Sequence, residues 1–235
     1  MAEGRLHKVL AGITGEQDVP GGTVVVIGLG RFGSSLARTL VEMGNEVLAV
    51  DADPERVQEH AQELTHVVQA DSTSEHALRQ LGAAEVTTAV VCIGTDVEAS
   101  VLTAVALVDL GIPNIWAKAI TAPHGKILQR VGCHHVVFPE AEMGKRVAHL
   151  LTGTMLEYIA LDEDFAIVET AVPPELDGVR LADAQLRARF EVTVVCVKPQ
   201  GQAFTYATAD TVLGAGDLIV VAGHQRNVER FALVH

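Results

Sequence analysis

At 235 residues the chain has room for one large domain, or for a standard domain followed by a small one. Its 17 basic residues against 30 acidic ones leave a formal net charge of −13, which argues against nucleic acid or an anionic membrane surface as a partner. Hydrophobic residues make up 49% but aromatics only 4%, so a core of Val, Leu, Ala and Ile is expected, and no apolar stretch reaches membrane-spanning length.

Residues 1–21 are polar and end in Pro20-Gly21-Gly22; they read as a flexible tail with one helical turn at Arg5–Ala11. No uninterrupted apolar segment follows the N-terminal basic cluster, so a signal peptide is not expected and the protein should be soluble and cytoplasmic. From Thr23 the order is apolar run (Val24–Ile27), glycine pattern Gly28-Leu29-Gly30-Arg31-Phe32-Gly33, helical segment to Met43, apolar run Val47–Val50, then Asp51. Strand, glycine turn, helix, strand and acid in that order is the arrangement a dinucleotide site requires. Gly28 permits the tight turn, Gly30 lets backbone approach phosphate, and Gly33 lets helix and strand pack closely. The helix start offers amide donors and partial positive charge. Asp51, 18 positions beyond Gly33, stands where a carboxylate would hold ribose hydroxyls.

Further runs at 66–70, 86–92, 114–118 and 135–138 alternate with helical stretches near 54–63, 74–81, 96–110 and 122–131. This strict alternation predicts an α/β fold, a doubly wound parallel Rossmann-like sheet over 22–139, with its ligand at the carboxyl ends of the strands. Those ends carry Gly28, Asp51, Asp71, Gly94, Lys118 and Glu140. Asp53 reads either as an N-cap before Pro54 or as a ligand contact, and Asp71-Ser72 either as a helix-start loop or as a binding segment. Gly94 would let the chain pass near a ligand, with Asp96 capping the next helix. Glu140 and Glu142 open a helix running to about Leu151, where they would be ordinary dipole partners. Thr152-Gly153-Thr154 ends it, and residues 140–155 are read as a crossover helix and linker.

Beyond Leu156 come strand-like runs at 166–171, 193–197 and 218–222 and helical patterns at 181–187 and 226–233. With a hairpin signal at Pro199-Gln200-Gly201, these predict a smaller α+β domain over 156–235, small enough that pairing with another copy is expected. Cys92, Cys133 and Cys196 read as buried thiols of a reducing compartment. His134 and His135 beside Cys133 point to opposite strand faces, which disfavours a shared metal. His224 reads as a cap or surface residue. No serine elbow, HExxH or Walker lysine occurs, so a conformational output is expected instead of catalysis.

The runs VVVIGLGRFGSSLARTL (24–40), EVLAVDADPERV (46–57), IPNIWAKA (112–119) and VVFPEAEMGKRVA (136–148) resemble the RCK or TrkA type, nearest to its Ktr branch, over about residues 22–235. That resemblance implies a cytoplasmic regulator bound peripherally, through a Ktr/Trk-type membrane potassium transporter subunit, to the inner face of the plasma membrane. It implies homodimers assembling into an octameric ring that ATP and ADP drive into different shapes. Residue by residue, Gly28, Gly30 and Gly33 with Phe32 would surround the phosphates and Asp51 would hold the ribose. Asp71 and Ser72 would sit near adenine, Arg31 would reach a terminal phosphate, and Gly94 and Lys118 would complete the site. Glu140 matches a glutamate that helps place a divalent cation, Mg or Ca, at a dimer interface. Arg187 matches an arginine that in some relatives contacts cyclic di-AMP. Two departures stand out: Asp53 replaces a frequent Asn, adding negative charge near phosphates, and Glu191 replaces a usual Gly. Two alternatives remain at this point, an NAD(H)-sensing regulator of the same fold and a small NAD-dependent dehydrogenase.

Overall fold

The alternating runs become strands and helices in a computed structural model, which describes residues 22–151 and 155–234. The tail read over 1–21 and the helix end read at 152–154 lie outside the described residues. Two compact units divide the chain, Met1–Glu140 and Ala141–His235.

In the first unit β1 (Val24–Ile27), α1 (Arg31–Glu42), β2 (Val47–Asp51), α2 (Pro54–His60), β3 (His66–Gln69) and α3 (Glu75–Gln80) form one half. The other half is β4 (Thr88–Val91), α4 (Val97–Asp109), β5 (Asn114–Lys118), α5 (Ala122–Val131) and β6 (His135–Val137), after which α6 (Pro139–Leu151) leaves the sheet. The six strands are parallel in the order β3-β2-β1-β4-β5-β6. Both faces are covered, which is why the central strands read as unbroken apolar runs. Val25, Ile27 and Val91 point to a core shared with Leu78, Leu107 and Leu128, whereas Val26, Ala49 and Val90 point to one shared with Ala37. Helix starts are set locally: Asp53, Ser74, Asp96 and Thr121 each accept a first-turn amide of α2, α3, α4 and α5.

The turn after β1 depends on two glycines. Gly28 has φ +95°, a left-handed value that side chains avoid. A Cβ on Gly33 would lie 1.8 Å from the Gly28 carbonyl oxygen and 3.0 Å from Cys92 Cβ, so α1 packs against β1 only because that atom is missing.

In the second unit an antiparallel sheet has the order β10-β9-β11-β8-β7. Its strands are β7 (Met155–Ala160), β8 (Phe165–Ala171), β9 (Val192–Lys198), β10 (Thr205–Tyr206) and β11 (Leu218–His224). The hairpin signal at 199–201 lies in the β9–β10 connection, and α9 (Gln225–Ala232) buries Val228 and Phe231 on the sheet. Two readings change here. The sequence reading, with a linker to 155 and a domain from 156, has no strand over 155–160, where one forms. A register shift between Met155 and Glu157 erases the alternation that would mark it, leaving Met155 and Tyr158 buried three positions apart. The single helix read at 181–187 is two, α7 (Leu181–Ala184) and α8 (Leu186–Phe190), broken by Gln185 at φ 48°. The break turns Ala184 and Leu186 both inward, which a continuous helix would not allow. Glu191 also has a left-handed φ of 59°, which explains why glycine suits that position, and Asn227 donates to its carboxylate. Among the cysteines, Cys92 and Cys133 are buried but Cys196 is only half-buried.

Among the described residues no helix is long and apolar enough to cross a membrane. The glycine contacts separate two substitutions. Gly33→Ala should destabilise the protein by more than about 3 kcal/mol in denaturant unfolding, since backbone must move. Gly30→Ala should unfold like wild type, because Gly30 has an ordinary φ of −65° and its Cβ would meet nothing within 4 Å. Equal loss in both would contradict this reading of the turn.

Candidate functional site

The strand order reverses between β1 and β4, whose carboxyl ends therefore border a crevice. A cavity of about 510 Å³ lies there, walled by the glycine turn, the ends of β2, β4 and β5, the Asp71–Thr73 loop and Glu140. Gly28, Gly30, Arg31, Phe32, Asp51, Asp71, Ser72, Gly94, Lys118 and Glu140 all line it. Two of the residues predicted for this site do not. Gly33 lies behind the turn, where it permits the helix–strand contact, and Asp53 caps α2 by accepting the Glu55 amide at 2.9 Å.

The turn side of the cavity is built for an anion. In contrast to α2 through α5, α1 has no side-chain cap, and its first turn holds no acidic residue, so its amide dipoles face the cavity uncompensated. Opposite stands Asp51, buried at 8% exposure. Its Oδ2 accepts the Leu29 amide at 2.6 Å and its Oδ1 the Asp53 amide at 2.9 Å. The carboxylate thus fixes the end of β2 to the glycine turn and retains lone pairs for hydroxyl donors. Next to it, Asp71 accepts both the amide and the hydroxyl of Thr73, bonds that hold its carboxyl below the usual value. The buried Ser72 hydroxyl lies 2.8 Å from that of Thr103.

At the far end the wall is charged. Lys118, 9% exposed, places Nζ 2.5 Å from Glu140 Oε1 and 5.7 Å from the centre of the Phe32 ring. Gly94 makes the room for it, since a Cβ there would sit 3.2 Å from that Nζ. The Lys118 hydrogen bond, followed by weaker contributions that include the charge of Arg31, holds the Glu140 carboxyl below its usual value. Cys92 also lines the cavity, but burial pushes its thiol up to about 12 against the opposing charge of Lys118, which leaves it unreactive.

A basic wall residue was missed in the sequence. Arg56 lines the cavity with Nη1 3.5 Å from Asp51 Oδ2 and Nε 3.5 Å from Asp53 Oδ2. Its spacing of three from Asp53 on one helix face was the available signal. The remaining predicted residues lie elsewhere. Within the second unit Arg187 donates from Nε to Thr193 Oγ1 at 3.0 Å, beside a cavity of about 420 Å³ that both residues line. His134 accepts the Ile115 amide and His135 stacks on Trp116, so the two rings are used separately. His224 holds the N-cap position of α9 without a side-chain cap bond and packs edge-on to Phe165. Among the described residues no group of three or more His, Cys, Asp or Glu could hold a metal.

Residues 24–139 match the TrkA-N domain family and residues 165–234 the TrkA-C domain family. The sequence is 37% identical over 207 residues to the Ktr system potassium uptake protein A of Bacillus subtilis (strain 168), covering 88% of this chain and 93% of that protein. Identity is 34% over 201 residues to the protein of the same name from Vibrio alginolyticus, covering 85% and 91%. Among solved structures, the GsuK channel superposes with a TM-score of 0.65 at 20% identity over 98% of this chain. This chain spans only 44% of that channel's length, and the likeness shows the fold. A structure of the GsuK channel bound to NAD superposes with a TM-score of 0.64 at 18% identity, over 98% of this chain and 43% of that one.

The Lys118–Glu140 pair gives a pH-dependent test. A carboxyl held below its ordinary 4.5 contributes stability above that pH and loses it as pH falls through the folded value. Glu140 is 64% exposed on its side chain, so the contribution is at most about 1 kcal/mol. Carboxyl NMR titration of Lys118→Met should show Glu140 returning toward the ordinary value in a folded protein. An unmoved Glu140 titration would show that Lys118 is not its partner.

Proposed function

The chain belongs to the TrkA-N/TrkA-C family of potassium-uptake proteins, and we propose that it is the adenine-nucleotide-sensing regulatory subunit of a potassium uptake system. The observation that carries this reading is the distribution of charge along the cavity. An adenosine fits the Asp51, Asp71 and Ser72 end, with the ribose hydroxyls donating to Asp51. The first amides of α1 take the phosphates over the side-chain-free Gly30. Arg31 and Lys118 stand where a terminal phosphate would arrive, and guanidinium and ammonium suit phosphate oxygens. A third phosphate competes with Glu140 for Lys118.

Glu140 is the second residue of α6, the helix through which the chain passes from the first unit to the second. Nucleotide identity is thereby converted into the state of that helix start. The output passes to a separate membrane potassium-transport subunit, and copies of the chain pair and close into an octameric ring on its cytoplasmic side. ATP and ADP can bias such a ring only by their difference in affinity for its shapes, roughly 1–3 kcal/mol per coupled site. Among the described residues of one chain none fit a divalent cation, because Glu140 is already neutralised by Lys118 and no group of three or more His, Cys, Asp or Glu could hold one. A cation at Glu140 therefore requires ligands from a second copy. The cavity beside Arg187 is the place for a second, anionic effector of the cyclic di-AMP kind.

A second reading is an NAD(H) sensor, favoured by Asp51 and by the NAD-bound channel of the same fold. The basic residues at the far end, Arg31 and Lys118, weigh against it, since a nicotinamide ring offers no negative charge for them to match. Calorimetric titration of the purified chain with ATP, ADP and NADH separates the two. ATP and ADP should bind more tightly than NADH; tighter NADH binding would favour the second reading. Arg31→Ala should lower the preference for ATP over ADP by roughly 5- to 10-fold while ADP affinity changes little. Equal losses for both nucleotides would remove Arg31 from the terminal phosphate.

A further inference from the structure

The Asp53 departure adds a carboxylate beside a site read as binding phosphates, and the structure shows what answers it. Arg56 lies on the cavity wall with its guanidinium between two carboxylates, 3.5 Å from Asp51 and 3.5 Å from Asp53. Each carboxylate is also engaged by backbone. Asp51 accepts the Leu29 and Asp53 amides, and Asp53 accepts the Glu55 amide as the cap of α2. Neither can swing away without losing those bonds, so the guanidinium is held between two fixed charges.

We propose that Asp53 and Arg56 together determine selectivity at the ribose, admitting adenosine with a free 2′-hydroxyl and rejecting adenosine carrying a 2′-phosphate. This rests on the adenine-nucleotide reading of the cavity. An arginine next to the strand-end acid is the group that accommodates a 2′-phosphate in sites of this architecture. Here that arginine is present but occupied. Asp51 and Asp53 place two carboxylates beside one guanidinium, so an entering dianion meets net negative charge and must displace Asp53 from Arg56. Asp51 alone would disfavour the 2′-phosphate by its charge. Asp53 adds a distinct effect, since it withholds the cation that could compensate. The consequence is a sensor that reads ATP and ADP and is blind to NADP(H), although both carry adenosine.

Asp53→Ser tests this without removing the helix cap, because serine caps as well as aspartate. The probes are 5′-ADP and adenosine 2′,5′-bisphosphate, titrated calorimetrically into wild type, Asp53→Ser and Asp53→Ser/Arg56→Ala. Wild type should bind 5′-ADP and discriminate against the 2′,5′-bisphosphate. Asp53→Ser should strengthen 2′,5′-bisphosphate binding by about tenfold or more, as expected for a released guanidinium hydrogen-bonding a phosphate. Its 5′-ADP affinity should stay within about threefold of wild type, and adding Arg56→Ala should abolish the gain. An unchanged ratio between the two probes in Asp53→Ser, with 5′-ADP still bound, would overturn this inference alone. A gain that survives Arg56→Ala would also overturn it. Failure of wild type to bind 5′-ADP at all would overturn the nucleotide reading and this inference with it.

Discussion

The close passage of α1 over the end of β1 is the contact on which the rest of the first unit depends. It exists because Gly33 has no Cβ to meet the Gly28 carbonyl, and because Gly28 can adopt a left-handed φ. Once the helix is seated there, its uncapped amino end must face the crevice between β1 and β4. Asp51 then completes the corner by binding the Leu29 amide within the turn itself. The uncapped helix end and the Asp51 carboxylate are therefore placed by one packing event and one hydrogen bond, not by a flexible loop.

The far end of the cavity is organised differently. A nearly buried ammonium at Lys118 is stabilised by Glu140 and by the face of Phe32, and Gly94 leaves space for it. Burying a lysine is costly unless it is paired. In the proposed mechanism that cost is what makes the site responsive, because Lys118 must always have an anionic partner and a terminal phosphate offers a second one. α6 carries the first partner, and its later residues Arg146 and His149 are bound to Glu157 and stacked on Tyr158 within the second unit.

The sequence made the first unit legible because its signals are local. Strands buried on both faces are continuous apolar runs, helix caps are short polar residues before amphipathic segments, and the glycine spacing is fixed by backbone geometry. The second unit was read less fully where local signals fail. The bulge at Met155–Glu157 scrambles the alternation of β7, and the left-handed Gln185 breaks a helix that its neighbours favour. At the site, the glycines and Asp51 could be found by spacing, whereas the pairing of Lys118 with Glu140 and of Arg56 with Asp51 joins residues from separate elements. Tertiary charge pairs leave no periodic trace. Asp53 shows the difficulty most directly, since cap and ligand contact look alike in sequence, and the structure shows a cap that also restrains an arginine on the cavity wall.

In the proposed function the identity of the nucleotide reaches the start of α6 through Lys118 and Glu140. Hydrogen exchange of the amides in residues 139–151, measured with saturating ATP and with saturating ADP, tests it most directly. Exchange in α6 should be faster with ATP than with ADP, because the third phosphate draws Lys118 from Glu140. Identical exchange with both bound nucleotides would contradict it.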